Sequence, residues 1–515
     1  MLVKSYAAAV QGINAIVVTV ETAVSKGIQY CIVGLPDTAV KESHERVRSA
    51  LTQSGYSTGR ASVVINLSPA DVKKEGAAYD LPIAVSIMVG SEQIKAPELE
   101  RYMIMGELSL DGSVLPVRGI LPMAIEARAH GFKGIIVPKA NACEAAVVNN
   151  LEVYGVENLR QVADLLSGRG GVEPTVVDTR AEFARAASVY DMDFREVRGQ
   201  ENVKRAFEVA CAGGHNILLV GPPGSGKSMM AKRLPTIMPP LSLGEALETT
   251  KIHSVAGKLP RGSRLMTVRP FRSPHHTVSP VAMVGGGTVP MPGEISLAHN
   301  GILFLDEFPE FPRQVLEVLR QPLEDRHISV SRARYQIDYP AGFMLVASMN
   351  PCPCGYYGHP TRPCTCPPGA VNKYMNRISG PLLDRIDLQV EIMPVEFEQL
   401  AGRPEGETSE AIRARVITAR ELQARRYADT PGVHCNAQIT PRLMEKYCSL
   451  DAESTAILRK AMTKYDMSAR AYDRILKVAR TIADLDGSDT IRPLHIHEAV
   501  GYRTLDRGTR GLVTF

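Results

Sequence analysis

The sequence predicts an α/β protein built on a parallel sheet, with a second α/β region before it and a helical region after it. Three observations predict this. Residues 216–220 (NILLV) form a short apolar run that leads straight into GPPGSGKS at 221–228. Two more apolar runs end on polar residues, GILFLDE at 301–307 and LVASMN at 345–350. Residues 395–515 carry helix signals in place of strand signals.

A chain of 515 residues is too long for one ordinary core, and about three domains are expected. The divisions fall at 1–170, a linker at 171–192, a nucleotide-binding domain at 193–394 and a helical domain at 395–515. Lys and Arg number 59 against 55 Asp and Glu, a net charge of +4, too small to argue for nucleic acid by itself. No apolar run reaches membrane-spanning length, and Gln11, Asn14 and Glu21 break the N-terminal stretch, so neither a membrane partner nor a signal peptide is expected. Nine cysteines, an odd number with four of them clustered, argue against a disulfide framework and for a reducing cytoplasm.

Taken in order, residues 15–20 and 61–67 read as strands, and 41–55 as a helix with Val47, Ala50 and Leu51 on one side. A strand at 103–105 precedes a hairpin over 108–117 turning at Asp111-Gly112. Residues 123–131 read as a helix stopped by Gly131, and 134–137 as another strand. This is a mixed α/β domain.

Two phrases in this domain, NLSPADVKKEGAAYDLPIA at 66–84 and MGELSLDGSVLPVRGILPMAIEARAHGFKGIIVPK at 105–139, resemble the proteolytic domain of Lon protease. The resemblance implies that fold without its chemistry. The position of the family's nucleophilic Ser is Ala78, and that of its Lys is Leu121. A methyl group cannot attack a carbonyl and Leu cannot take a proton. Ser68 with Lys73 or Lys74 is a displaced dyad in principle; residues flanking a strand are the plainer alternative.

SGRGGV at 167–172, with Pro174 beyond it, marks the linker. In the helix before the phosphate loop, Val203, Phe207, Val209 and Ala210 form an apolar face. The loop itself is Gly221, Pro222, Pro223, Gly224, Ser225, Gly226, Lys227 and Ser228. Its small residues let backbone N–H groups close on phosphate oxygens at a helix start. Lys227 would reach the β- and γ-phosphates of ATP, and the Ser228 hydroxyl would ligate Mg²⁺. Asp306 and Glu307 end a buried strand, at the edge where ligands sit in an open parallel sheet. Asp306 would hold Mg²⁺ through water and Glu307 would polarise the attacking water. Asn350 would hydrogen-bond the γ-phosphate or that water.

With RPFRSPHHTVSPVAMVGGG at 269–287, PGEISLAHNGILFLDE at 292–307 and SGPLLDRIDL at 379–388, the core resembles an AAA+ ATPase of the magnesium-chelatase-like branch. Together with the Lon-like front domain, it resembles the ComM/YifB family nearly end to end. The resemblance implies that Arg385 is a finger reaching a neighbouring subunit's ATP. A pair with Asp384 or Asp387 is the alternative. It also makes 281–294, rich in Gly and Pro, a loop into a ring's pore. A hairpin is expected over 327–342, with Arg332 and Arg334 near its tip facing a nucleic-acid backbone. A solvated arginine pair is the other reading.

Cys352, Cys354, Cys364 and Cys366 lie within fifteen residues, which suggests a structural Zn²⁺ held by four thiolates, with His359 a spare ligand. Free thiols in a Pro-rich loop, or an oxidised pair, stay open. In the last region Thr440-Pro441 starts one helix. Residues 468–485 form the clearest one, with Tyr472, Ile475, Leu476, Ala479, Ile482 and Ala483 as its apolar stripe. Arg470, Arg474 and Lys477 share another face. The family resemblance makes this the lid and Arg470 the residue touching the γ-phosphate, with Arg474 the fallback.

The expected function is a ring-forming AAA+ ATPase, a homo-hexamer by resemblance. It couples ATP hydrolysis to helicase or branch-migration activity on single-stranded or branched DNA during recombination of incoming DNA. An ATP-dependent protease or chaperone and a magnesium-chelatase-type motor are the alternatives.

Overall fold

The computed structural model describes residues 1–57, 61–179, 183, 190–259, 264–287, 290–332, 335–394 and 406–503. Two α/β sheets carry the chain, and helices follow the second.

The first sheet has seven strands: β1 (Leu2–Gln11), β2 (Asn14–Lys26), β3 (Tyr30–Val33), β4 (Ala61–Ser68), β5 (Tyr102–Ile104), then, past a short hairpin of β6 (Glu107–Leu108) and β7 (Val114–Leu115), β8 (Gly134–Pro138) and β9 (Glu152–Val156). Their spatial order is β3-β4-β2-β1-β5-β8-β9. β1–β2 and β2–β4 pair antiparallel; β3–β4, β1–β5, β5–β8 and β8–β9 pair parallel. The expected strands at 15–20, 61–67 and 134–137 are here, and so is the hairpin at Asp111-Gly112. β1 is an addition, in a stretch the sequence marks only as lacking a signal peptide. Ala7, Ala8 and Ala9 are buried in mid-sheet, where β1 lies between β2 and β5 and helix Asp80–Gly90 packs against the strand. Asp80, fully buried, takes two hydrogen bonds from Arg46, at 2.7 and 3.0 Å, and so ties two helices together. Burial pushes its carboxyl up to about 6, although the guanidinium works the other way.

The expected linker begins as part of this sheet's surround. Thr175 N–H donates to Val153 O at 2.7 Å, and Thr179 Oγ1 to Val147 O at 3.2 Å.

The second sheet holds β10 (Ile217–Val220), β11 (Phe271–Arg272), β14 (Ile302–Leu305), β17 (Met344–Met349) and β18 (Leu388–Glu391), all parallel, in the order β11-β14-β17-β10-β18. Between them run two hairpins. One pairs β12 (Gly285–Gly286) with β13 (Met291–Pro292); the other pairs β15 (His327–Arg332) with β16 (Tyr335–Pro340). The second is the hairpin the sequence predicts. Tyr339 Oη donates to Pro290 O at 2.7 Å and so fixes one hairpin to the other.

Each sheet has its own core, and the stretch after the phosphate loop reaches into that of the first sheet. Leu241, Ala246 and Leu265, from the stretch after the phosphate loop, are buried among the apolar residues of the first sheet. Ala246 lies on helix Leu243–Val255, which the sequence reading leaves unassigned, and Leu241 and Leu265 flank that helix. Ser242 caps it, accepting from Glu245 N–H, while Glu245 accepts from Ser242 N–H. Lys251 Nζ donates to Asn14 Oδ1 at 2.6 Å across the junction.

The C-terminal region is helical as expected, with helices Ser409–Arg426, Pro441–Tyr447, Ala452–Tyr465, Ala469–Leu485 and Pro493–Gly501. Ser468 caps Ala469–Leu485 by accepting from Ala471 N–H, and Gly487 follows its end at φ 64°. Ile475, Leu476, Ala479, Ile482 and Ala483 are buried; Tyr472, expected in the same stripe, is 40% exposed. No helix among the described residues is long and apolar enough to cross a membrane.

Candidate functional site

The site forms where β10 ends. Its neighbours are β17 on one side and β18 on the other, so strand order reverses here and a crevice opens at the carboxyl ends. Gly221 N–H donates to Met349 O at 3.2 Å and fastens the loop to β17. Gly224 and Gly226 stand at φ 78° and 86°, a backbone that side chains disfavour. A Cβ on Gly224 would meet no atom within 4 Å. The loop is therefore open on the side where phosphate oxygens would approach its amides.

The charged groups converge there. Lys227 Nζ folds back onto Gly221 O at 2.7 Å and Pro222 O at 2.8 Å, and reaches Asn350 Oδ1 at 3.3 Å. Ser228 Oγ donates to Asp306 Oδ2 at 2.6 Å, and Ser348 Oγ donates to Asp306 Oδ1. A hydroxyl and a carboxylate in contact, beside a lysine, are the donor set that suits Mg²⁺ bound to phosphate oxygens. Thus Lys227, Ser228, Asp306 and Asn350 come together as the sequence predicts, from loop, helix start and two strand ends.

Glu307 adopts φ 54°, ψ 45°, a left-handed conformation rare for a side chain of this kind. Such residues cluster at functional sites. Its carboxylate is 59% exposed and lies 3.3 Å from His276 Nδ1. His276 in turn lies 4.0 Å, ring centre to ring centre, from His275. Both histidines fall within a family phrase of the sequence that assigns them no role; only the fold brings His276 to Glu307.

Lys227 is nearly enclosed, and burial lowers its ammonium to about 8, with Asp306 pulling the other way. Bound phosphate would raise it again. Above pH 8 the free chain must then take up a proton on binding, so nucleotide affinity is expected to fall by up to about tenfold per pH unit. Titrating the chain with a fluorescent adenine nucleotide from pH 7 to 9.5 checks this. A flat profile would mean that Lys227 stays charged throughout.

Arg385 lies elsewhere. Asp387 N–H donates to Asn216 O, and Leu388 is level with Ile217, so Arg385 precedes the sheet at its amino edge. The phosphate loop is at the opposite edge, on the order of 10 Å away along a four-residue strand at ~3.3 Å per residue. Arg385 is buried, donates to Pro381 O at 2.6 Å and pairs with Glu324; its Nε has no partner among the described residues. The pairs with Asp384 or Asp387 held open by the sequence go to other arginines. Arg470 reaches Asp384 at 3.4 Å and Arg474 reaches Asp387 at 2.9 Å. Arg470 is 62% exposed on the same amino edge, away from its own phosphate loop.

Asp387, which the sequence reading offers only as a partner for Arg385, is a hub. It is buried, takes Arg474 Nη1 and Asn216 N–H, and lies 3.5 Å from His215. These charges hold its carboxyl well below the usual range despite burial.

The four cysteines converge. Sulfur separations are 3.3 Å (Cys352–Cys354), 3.7 Å (Cys352–Cys364) and 3.5 Å (Cys354–Cys364), and Cys366 completes a group within 4.8 Å. Four thiolates on a tetrahedral zinc at ~2.3 Å stand about 3.8 Å apart, so the residues fit that ion. His359 is outside the group; its Nδ1 accepts from Thr361 and Arg362 N–H.

In the first sheet, Ala78 lines a cavity of ≈ 970 Å³ that Gly286, Gly287 and Ile337 of the two hairpins also line, and Leu121 is fully buried. Lys74 donates to Pro69 O and Lys73 to Glu75 at 2.5 Å, pairings that lend a Ser68 dyad no support. Arg332 ends β15; Arg334 lies outside the described residues.

Three family models cover most of the chain: magnesium chelatase, subunit ChlI, over 193–400; subunit ChlI of Mg-chelatase over 20–141; and the ChlI C-terminal region over 406–503. The uncharacterized protein YifB of Salmonella typhimurium is 46% identical over 502 residues, 96% of each chain. Competence protein ComM of Haemophilus influenzae is 42% identical over 507 residues, 98% of this chain and 97% of that one. The chain belongs to the ComM/YifB family. An archaeal Lon protease from Methanocaldococcus jannaschii is 31% identical over 93 residues, 18% of this chain and 14% of its own. This ComM/YifB chain is thus a magnesium-chelatase-like AAA+ protein whose front part has a partial likeness to Lon.

Proposed function

We propose that the chain is a ring-forming ATPase that turns hydrolysis of MgATP into movement along DNA. The observation that carries the reading is the cluster of Lys227, Ser228, Asp306 and Asn350 at the carboxyl edge of a parallel sheet, with Glu307 held in a left-handed turn beside it. In this reading Lys227 binds the β- and γ-phosphates, Ser228 and Asp306 hold Mg²⁺, Asn350 orients water or phosphate, and Glu307 polarises the attacking water. Bound Mg²⁺ supplies charge neutralisation on the transferred phosphoryl group. Arg385 and Arg470, on the far edge of the same sheet, serve the nucleotide of a neighbouring copy. Residues 193–394 act as the motor, 395–515 as its lid, and 1–170 as a protease-like domain without a nucleophile. A hexamer in the cytoplasm is the expected assembly.

The relative's name, competence protein, supports a role in the uptake and recombination of DNA. The test is strand displacement on forked and four-way DNA with and without ATP; no ATP-dependent displacement on either would remove the DNA motor. The hairpin of β15 and β16 is the proposed DNA-binding element. The double variant Arg332→Ala, Arg334→Ala is expected to bind single strands more weakly, with a log–log salt slope flatter by roughly 0.7 for each phosphate no longer neutralised. Unchanged affinity and slope would move the DNA-binding role to the hairpin of β12 and β13.

The family descriptions favour a second reading, a motor partner of a metal-inserting chelatase. Co-purification with a porphyrin-binding protein would support it.

A further inference from the structure

The four-cysteine knuckle is built into the phosphate loop's support. β17 ends at Met349, whose carbonyl holds Gly221 N–H; Asn350 touches Lys227; and Cys352 follows two residues on, fully buried. Gly355 N–H then donates to Cys352 O at 3.0 Å, turning the chain at φ 85°. This turn lies against the loop so closely that a Cβ on Gly355 would stand 2.6 Å from Pro223 Cδ. Beyond it, Tyr357 and His359 line a small pocket together with Gly221 and Pro222. One short segment therefore carries two of the four thiols, Cys352 and Cys354, and the loop's neighbours Asn350 and Gly355.

We propose that this knuckle, loaded with zinc, is a positioning element of the nucleotide site, so that zinc and adenine nucleotide bind with positive coupling. The inference rests on the cluster being a zinc site and on the phosphate loop binding nucleotide. Cys352, Cys354 and Cys364 hold their sulfurs 3.3 to 3.7 Å apart, with Cys366 within 4.8 Å, and as thiolates they would repel one another without a cation between them. Losing the ion frees Cys352 and Cys354 to separate. Gly355 and Asn350 move with them, and the loop loses the shoulder against Pro223 and one of the acceptors of Lys227. Nucleotide binding then has to restore this order itself, and its affinity drops accordingly. Coupling between two ligands is reciprocal: zinc must raise nucleotide affinity by the factor by which nucleotide raises zinc affinity.

The experiment uses the full chain. The Kd for a fluorescent ADP analogue is measured on zinc-loaded protein, after removal of zinc by a zinc-selective chelator in excess Mg²⁺, and after zinc is returned. Zinc affinity is measured by competition with a chromophoric chelator, with and without ADP. The expected result is a reversible change of about 5- to 150-fold in each direction, the two factors equal. Since cysteine variants can fail to fold, Gly355→Ala is the second probe. It keeps all four thiols and should retain one zinc per chain, while its Cβ presses on Pro223 and weakens ADP binding. One zinc per chain with an ADP Kd unchanged within twofold on its removal would overturn the coupling. Absence of zinc from protein purified without added metal, with four titratable thiols, would overturn it at the metal. Absence of ADP binding in every state would overturn it at the phosphate loop.

Discussion

Glu307→Gln should bind ATP as the parent does and hydrolyse it at least about a hundredfold more slowly, the lower end of what a general base contributes. Binding survives because the proposed phosphate and Mg²⁺ contacts belong to Lys227, Ser228 and Asp306, whose hydrogen bonds do not involve the Glu307 side chain. Turnover fails because Gln keeps the shape of Glu but cannot accept the water's proton. The left-handed backbone at 307 holds the carboxylate out from the strand end, exposed and within reach of His276. Steady-state hydrolysis beside equilibrium nucleotide binding checks the prediction, and turnover within a few-fold of the parent would remove Glu307 from the role. Arg385→Ala should lose as much turnover, with a different remedy. Acting across subunits, it should regain activity when mixed with a Lys227→Ala chain, whereas two cis-acting lesions would not complement.

The second large effect is structural. Asp387→Ala should destabilise the fold by about 3–5 kcal/mol, the cost of removing one partner of a buried ion pair. Asp387 is 1% exposed and ties β18 to β10 through Asn216 N–H, and to the C-terminal helix Ala469–Leu485 through Arg474. Without it, Arg474 loses its counter-charge and Asn216 N–H its acceptor. Arg474→Ala should also destabilise, because it strips the buried Asp387 carboxylate of its cation and leaves it only Asn216 N–H and His215. The shift in urea midpoint of each variant, at unchanged slope, measures the loss. A shift equivalent to less than 1 kcal/mol for Asp387→Ala would show that Asp387 is not the tie.

What was legible in the sequence was local. A phosphate loop needs glycines at fixed positions, a buried strand announces itself as an apolar run, and four thiols within fifteen residues can be seen without a fold. Lys227, Ser228, Asp306, Asn350 and the cysteines therefore stand out in the sequence, and the structure brings them to two adjoining places. What was not legible depends on residues far apart in the chain. Arg385 has Glu324 as its partner across 61 positions, whereas the sequence offered only its neighbours Asp384 and Asp387. His276 meets Glu307 only because β11 lies beside β14. Helix Leu243–Val255 is polar enough to pass as an insert. Its buried face becomes apparent only when the first sheet is there to receive Ala246. β1 is hard to see in the sequence because its central alanines, buried though they are, carry little strand preference.

Placing the phosphate loop and the two arginines on opposite edges of one sheet makes each chain two halves of two different machines. On the proposed assignment a lone chain holds a lock without its key, and offers its key to a stranger. Only a head-to-tail contact unites them, and such a contact propagates until it closes on itself or runs on as a filament. Dilution alone then switches the enzyme off, and a chain that lacks Arg385 silences its neighbour's site while its own stays open to rescue from the other side.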